Sequence, residues 1–307
     1  MDGTAKLAAM NVLVATDGST CAGVALDFVA GIRWPTETTI RVAQVVELGA
    51  ELFGGPWPAV ALVESEAIER DLLAAAERTV HDAGDRLARE GLNVEPVVLR
   101  GRPASVINEE AGRITADVIV VGSRGHGTIG SMLLGSVSAE VIDHAVHPVL
   151  VAREGTVDHV LLAWDGSPSS SGAATLIQRW PILHGSHVRV VSVADTRMPW
   201  WVGFPEPGTT ELVPVYLDAM AASRKEHHEL AEGMAARLRS EGVMAEAEDR
   251  EGDAAEQILA AASAAGTGLI VMGSRGRTGI ARILLGSVAR NVLHHATCSV
   301  LVVRASA

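Results

Sequence analysis

The chain has 307 residues, 48% of them apolar but only 3% aromatic, with a formal net charge of −12 at pH 7. So acidic a composition argues against a nucleic-acid backbone as partner, because that contact needs a lysine- and arginine-rich face. No apolar run approaches the ~20 residues that span a bilayer, no basic-then-apolar leader opens the chain, and Cys21 and Cys298 are too few for a disulfide framework or zinc site. These features predict a cytoplasmic protein with no membrane partner and no cysteine-built metal site.

Read from the N-terminus, a short apolar strand, Val12–Ala15, runs into Asp17-Gly18-Ser19. Arg33-Trp34-Pro35 leads to a second strand, Ile40–Val46, and a long helical pattern ends at Glu90-Gly91. A third strand runs into Gly101 and a short helix follows from Pro103. The fourth strand, Val118–Val121, meets Gly122-Ser-Arg-Gly125, then nine residues, then Gly135-Ser136 at the start of another helix. Pro148–Ala152 is the last strand of this series.

The same series then repeats, 146 to 151 positions later. Val160–Ala163 precedes Asp165-Gly166-Ser167, and Arg179-Trp180-Pro181 precedes the strand His187–Val193. A long helix ends at Glu241-Gly242, a third strand reaches Gly252, and a helix begins at Asp253. Leu269–Met272 meets Gly273-Ser-Arg-Gly276, nine residues, then Gly286-Ser287, and Ser299–Val303 closes the copy. So long a period predicts two whole domains, 1–154 and 155–307, divided at the polar turn Glu154-Gly155-Thr156. Short, nearly continuous apolar strands alternating with helices predict, in each domain, an α/β doubly wound parallel sheet of five strands.

Ligands of such sheets lie beyond the carboxyl ends of the strands, where both Asp-Gly-Ser and the glycine loops fall. Glycines at a strand-to-helix turn allow close backbone approach to an anion, and the helix start adds partial positive charge. Ser136 and Ser287 suit either an N-cap or a donor to a phosphate oxygen. Asp17 and Asp165 suit either an N-cap or an acceptor for ribose hydroxyls or an adenine amine, with Ser19 and Ser167 able to take over the capping.

Asp17, Asp165 and the twice-complete pattern Gly-x2-Gly-x9-Gly-Ser resemble the ATP-binding branch of the universal stress proteins, in tandem form. That resemblance implies a Rossmann-like fold of the adenine nucleotide alpha hydrolase type. It implies ribose and phosphate contacts from Gly122, Gly125, Gly135 and Ser136 in the first domain, and from Gly273, Gly276, Gly286 and Ser287 in the second. It places adenine near Val45 and Val193, and implies pairing through the fifth strand, within the chain or in a homodimer. The cofactor expected is ATP, with or without Mg2+, and the role expected is a stress-response regulator with an unidentified protein partner.

Rival readings are weaker. Gly125-His-Gly127-Thr-Ile-Gly130 spells a dinucleotide fingerprint, but it follows the fourth strand and the second copy breaks it. Neither half carries the Gly-Lys-Ser/Thr ending of a P-loop. Neither loop, 122–136 or 273–287, contains an Asp or Glu to orient water, which predicts slow or no hydrolysis. A slow ATPase or phosphotransferase and a nucleotide-free scaffold are the alternatives. The first loop carries Arg124 and His126 while the second carries Arg275, Arg277 and Arg282, which predicts tighter triphosphate binding in the second domain. His144 with His147, and His294 with His295, read as polar helix ends, and His227-His228 as a solvated face. The segments with Trp57, Trp200 and Trp201 suit lids, edge covers or partner surfaces equally.

Overall fold

The computed structural model describes residues 9–47, 59–125, 134–196, 212–277 and 285–304. They form two compact units, 1–154 and 155–307.

In the first unit the strands are β1 (Asn11–Ala15), β2 (Thr39–Val46), β3 (Asn93–Arg100), β4 (Val118–Gly122) and β5 (Val149–Ala152). Between them lie α1 (Thr20–Ala30), α2 (Ala59–Arg89), α3 (Pro103–Arg113) and α4 (Ser136–His144). All the pairings are parallel and the order is β3-β2-β1-β4-β5. Val12, Leu13 and Val14 are buried in the middle of the sheet, as are Ile119 and Val120 beside them. Side chains that alternate between two covered faces must be apolar on both, which is why these strands read as continuous Val, Ile and Leu.

The second unit repeats the plan with β6 (His159–Ala163), β7 (His187–Ala194), β8 (Met244–Glu251), β9 (Leu269–Gly273) and β10 (Ser299–Val303). Its helices are α5 (Pro168–Arg179), α6 (Leu212–Ser240), α7 (Ala254–Ala264) and α8 (Ser287–His295), with a 3-10 turn at Pro181–Leu183. The order is β8-β7-β6-β9-β10, again parallel. In each unit the order reverses between the first and fourth strands, so the following loops leave on opposite sides and open a crevice there.

The long helices stop alike. Gly91 and Gly242 have φ of 81° and 87°, a conformation that costs side chains with a Cβ. The next N–H groups, of Leu92 and Val243, then bond back to the carbonyls of the buried Leu87 and Leu238. Among the described residues, no helix is long and apolar enough to cross a membrane.

One feature belongs to the first unit. Arg41 on β2 donates to the buried Glu110 of α3 at 2.7 Å and also pairs with Glu95 on β3. Arg113 donates two further bonds of 2.7 Å to Glu110, and with Arg41 holds that carboxyl below its usual 4.5 despite burial. A depressed carboxylate pKa contributes stability that is present above the unfolded value and lost as pH falls through the folded one. Arg41→Met should therefore lower stability in urea at neutral pH by about 2–3 kcal/mol and flatten the loss of stability below pH 4.5.

Candidate functional site

Each site begins where the first strand of a unit ends. The Oδ1 of Asp17 accepts from the Ser19 N–H at 2.9 Å, and that of Asp165 from the Ser167 N–H at 3.0 Å. This local turn points the other carboxylate oxygen at the glycine loop. A Cβ on Gly125 would stand 2.5 Å from Asp17 Oδ2, and one on Gly276 would stand 3.0 Å from Asp165 Oδ2. In the second unit the Arg277 N–H also donates to Asp165 Oδ2, at 3.2 Å. Capping falls to the serines: Ser19 accepts from Ala22 N and Ser167 from Ser170 N, each at 3.2 Å. Their hydroxyls donate in turn to the carbonyls of Arg124 (3.4 Å) and Arg275 (3.2 Å), tying helix start to loop.

The glycines divide into different physical roles. A Cβ on Gly122 would lie 2.9 Å from the Cys21 carbonyl, and one on Gly273 would lie 2.7 Å from the Ser170 nitrogen. These first glycines let the fourth strand of each unit end against the first turn of α1 or α5. Gly135 and Gly286 close the loops, donating their N–H groups to Ser123 O (2.7 Å) and Ser274 O (2.8 Å). They also occupy the N-cap positions with no side-chain cap, so Ser136 and Ser287 are first helical residues. The N-cap expected at those serines is thus one residue earlier. Because a glycine cap supplies no acceptor, the first-turn N–H groups of α4 and α8 keep their donor capacity beside the loop.

A cavity of about 440 Å³ in the first unit and one of about 400 Å³ in the second lie at these strand ends. Asp17, Val45, Gly122, Arg124, Gly125, Gly135 and Ser136 all line the first. Asp165, Val193, Gly273, Arg275, Gly276, Gly286 and Ser287 line the second. Both volumes fall in the range of about 300–1,000 Å³ usual for small-molecule sites. Ala43 and Ile107 add an apolar wall in the first unit, and Val191 and Ile258 in the second. Strand alternation with Val45 and Val193 is the signal that could have found Ala43 and Val191. Thr16 and Trp164, adjacent to the aspartates, also line the cavities and carry no such signal.

Arg277 does not line the cavity; its guanidinium meets Glu226 of α6 at 2.7 Å. His126, Arg282 and the segments holding Trp57, Trp200 and Trp201 lie outside the described residues. His227 departs from the solvated face expected of it: it is half-buried, with Nδ1 2.8 Å from the hydroxyl of the buried Ser192 on β7. Burial lowers its pKa, assisted by Arg277 and opposed by Glu226 and Asp165. His228 is exposed and its pKa is raised by the Asp249 carboxylate at 2.8 Å. His144 and His295 sit near helix ends, their Nδ1 atoms close to carbonyls one turn back. Among the described residues, no group of three or more His, Cys, Asp or Glu is arranged to hold a metal ion.

Known proteins share this architecture. The family model described as "Universal stress protein family" matches residues 9–153 and again 156–304. A universal stress protein of Mycolicibacterium smegmatis is 29% identical over 81% of each chain. One of Mycobacterium tuberculosis is 28% identical over 97% of each. A solved universal stress protein from Archaeoglobus fulgidus superposes with a TM-score of 0.69 over 97% of each chain, at 20% identity, and shows the same fold.

Gly122→Ala and Gly273→Ala force backbone apart and should each cost about 1–3 kcal/mol in urea denaturation. Gly125→Ala meets only a side chain that can turn aside, and should cost less than about 1 kcal/mol. His227 has a depressed folded pKa, so its contribution to stability is present above the ordinary 6.5 and lost as pH falls through the folded value. Denaturation midpoints followed downward from pH 6.5 should therefore drop less steeply in His227→Gln than in the parent.

Proposed function

Because the chain belongs to the universal stress protein family, we propose that it is an ATP-binding regulator with one adenine-nucleotide site in each unit. The observation carrying this reading is the duplicated juxtaposition of an oriented carboxylate, a glycine loop and an uncapped helix start around each cavity. Asp17 and Asp165 would accept from ribose hydroxyls, with Gly125 and Gly276 leaving room for the sugar. Adenine would lie against the apolar wall by Val45 and Val193. First-turn N–H groups of α4 and α8, with Arg124 and Arg275, would hold the phosphates. The residues present thus fit the nucleotide on all three of its parts.

Binding without appreciable turnover is the activity this arrangement supports. Transfer of a phosphoryl group needs a positioned nucleophile and charge stabilisation along the transfer path. The glycine loops contribute no carboxylate, and the two aspartates accept from the Ser19 and Ser167 amides, Asp165 also from that of Arg277. Occupancy, rather than chemistry, would then set which partner contacts the protein makes.

Denaturing the purified protein and identifying what it releases tests the reading. About two adenine nucleotides per chain are expected, mostly ATP, with Asp17→Ala and Asp165→Ala each leaving about one. The loss of a charge-assisted bond should weaken each site at least about tenfold in ATP titrations. Release of ADP alone would favour a slow ATPase. No release, with no binding on titration, would leave the nucleotide-free scaffold.

A further inference from the structure

Among the described residues, the loop of the second site is tethered to both the aspartate and the long helix. Arg277 follows Gly276, the second glycine of the loop, which lines the cavity. Its backbone N–H is fixed on Asp165 Oδ2 at 3.2 Å, while its guanidinium reaches away to Glu226 Oε1 on α6 at 2.7 Å. Both side chains are 50% exposed. Beside this pair, His227 anchors the same helix turn to Ser192 of β7.

The long helices α2 and α6 share their ends at Gly91 and Gly242, so Glu226 falls where the first unit has Ala75. The position of Arg277 is held there by His126. The Glu226–Arg277 combination of residues is therefore particular to the second copy of the sequence.

We propose that Glu226 is an internal competitor for the phosphates of a nucleotide at the second site, sequestering Arg277 until the ligand's negative charge draws it away. This rests on the nucleotide reading above and adds to it an affinity-setting residue outside the cavity. A guanidinium pairs with carboxylate or phosphate by the same forked geometry, so it serves one at the expense of the other. Half-exposed ion pairs are weak, about 0.2–1 kcal/mol, and the exchange is correspondingly reversible. The backbone bond to Asp165 keeps the loop in register whichever anion the side chain holds. Extra arginines in the second loop therefore do not translate directly into tighter triphosphate binding.

The test uses the full chain, freed of nucleotide and carrying Asp17→Ala so that the second site is read. ATP and adenosine are titrated into this background, alone and with Glu226→Gln, Arg277→Ala or both. Glu226→Gln should tighten ATP about two- to fivefold and leave adenosine unchanged, and it should have no effect once Arg277 is alanine. Unchanged ATP affinity in Glu226→Gln overturns the competition. So does a gain that persists without Arg277 or appears equally with adenosine. Failure of the background protein alone to bind ATP overturns the second site and this inference with it, and failure of the parent as well overturns the nucleotide reading itself. Both substituted residues lie on the surface, and circular dichroism of each variant should match the parent.

Discussion

Everything at the two sites depends on how closely the end of the fourth strand passes the start of the first helix. Gly122 and Gly273 have no room for a Cβ, because the backbone at Cys21 or at Ser169 and Ser170 already stands there. That approach brings the loop carbonyls of Arg124 and Arg275 within reach of the Ser19 and Ser167 hydroxyls. It also sets the aspartate that ends the first strand against the second glycine of the loop. A larger residue at position 122 or 273 would separate strand from helix and move every later contact. The cavity is thus a consequence of backbone packing before it is a matter of polar groups.

Much of this was legible because a parallel sheet imposes simple rules. Strands covered on both faces must be apolar throughout, and Val118–Val121 and Leu269–Met272 satisfy that without ambiguity. Repetition then gave the spacing of the glycines a weight that one copy lacked. Less legible was the work of each glycine. Gly135-Ser136 suits a serine cap as well as a glycine cap, and only the closure of the loop onto Ser123 decides between them. Likewise the sequence around His227, with Arg224, Lys225, Glu226, His228 and Glu229, reads as charged in every direction. The buried Ser192 across the interface turns one of those positions inward, and no local pattern announces it.

Duplication has preserved the frame and let the surroundings diverge. Both aspartates keep the same bond to the serine two residues on, and both loops close through the same glycine N–H. Around that frame, Ser138 in the first unit donates to the Gly122 carbonyl at 2.8 Å, whereas Ala289 stands at the matching place in the second. Thr16 accepts from the Gly18 N–H, while the second unit puts the far larger Trp164 there, in the wall of the cavity. The aspartate, the glycines and most of the apolar wall are shared, and the differences fall at single positions such as Thr16/Trp164 and Ser138/Ala289.

This division bears on how the regulator proposed above would respond in graded fashion. Identical sites would fill together over one concentration range. Sites sharing a backbone frame but differing at single wall positions can fill over separate ranges without altering the fold that supports them. In the second unit the tether engages α6, and the neighbouring His227 joins that helix to β7. Drawing Arg277 toward a ligand removes one of the contacts between α6 and the loop while leaving the Ser192 contact in place. The helix then remains docked, but the charge it presents changes by one exposed carboxylate. A partner sensitive to that charge would read the occupancy of the second site without any rearrangement of the sheet.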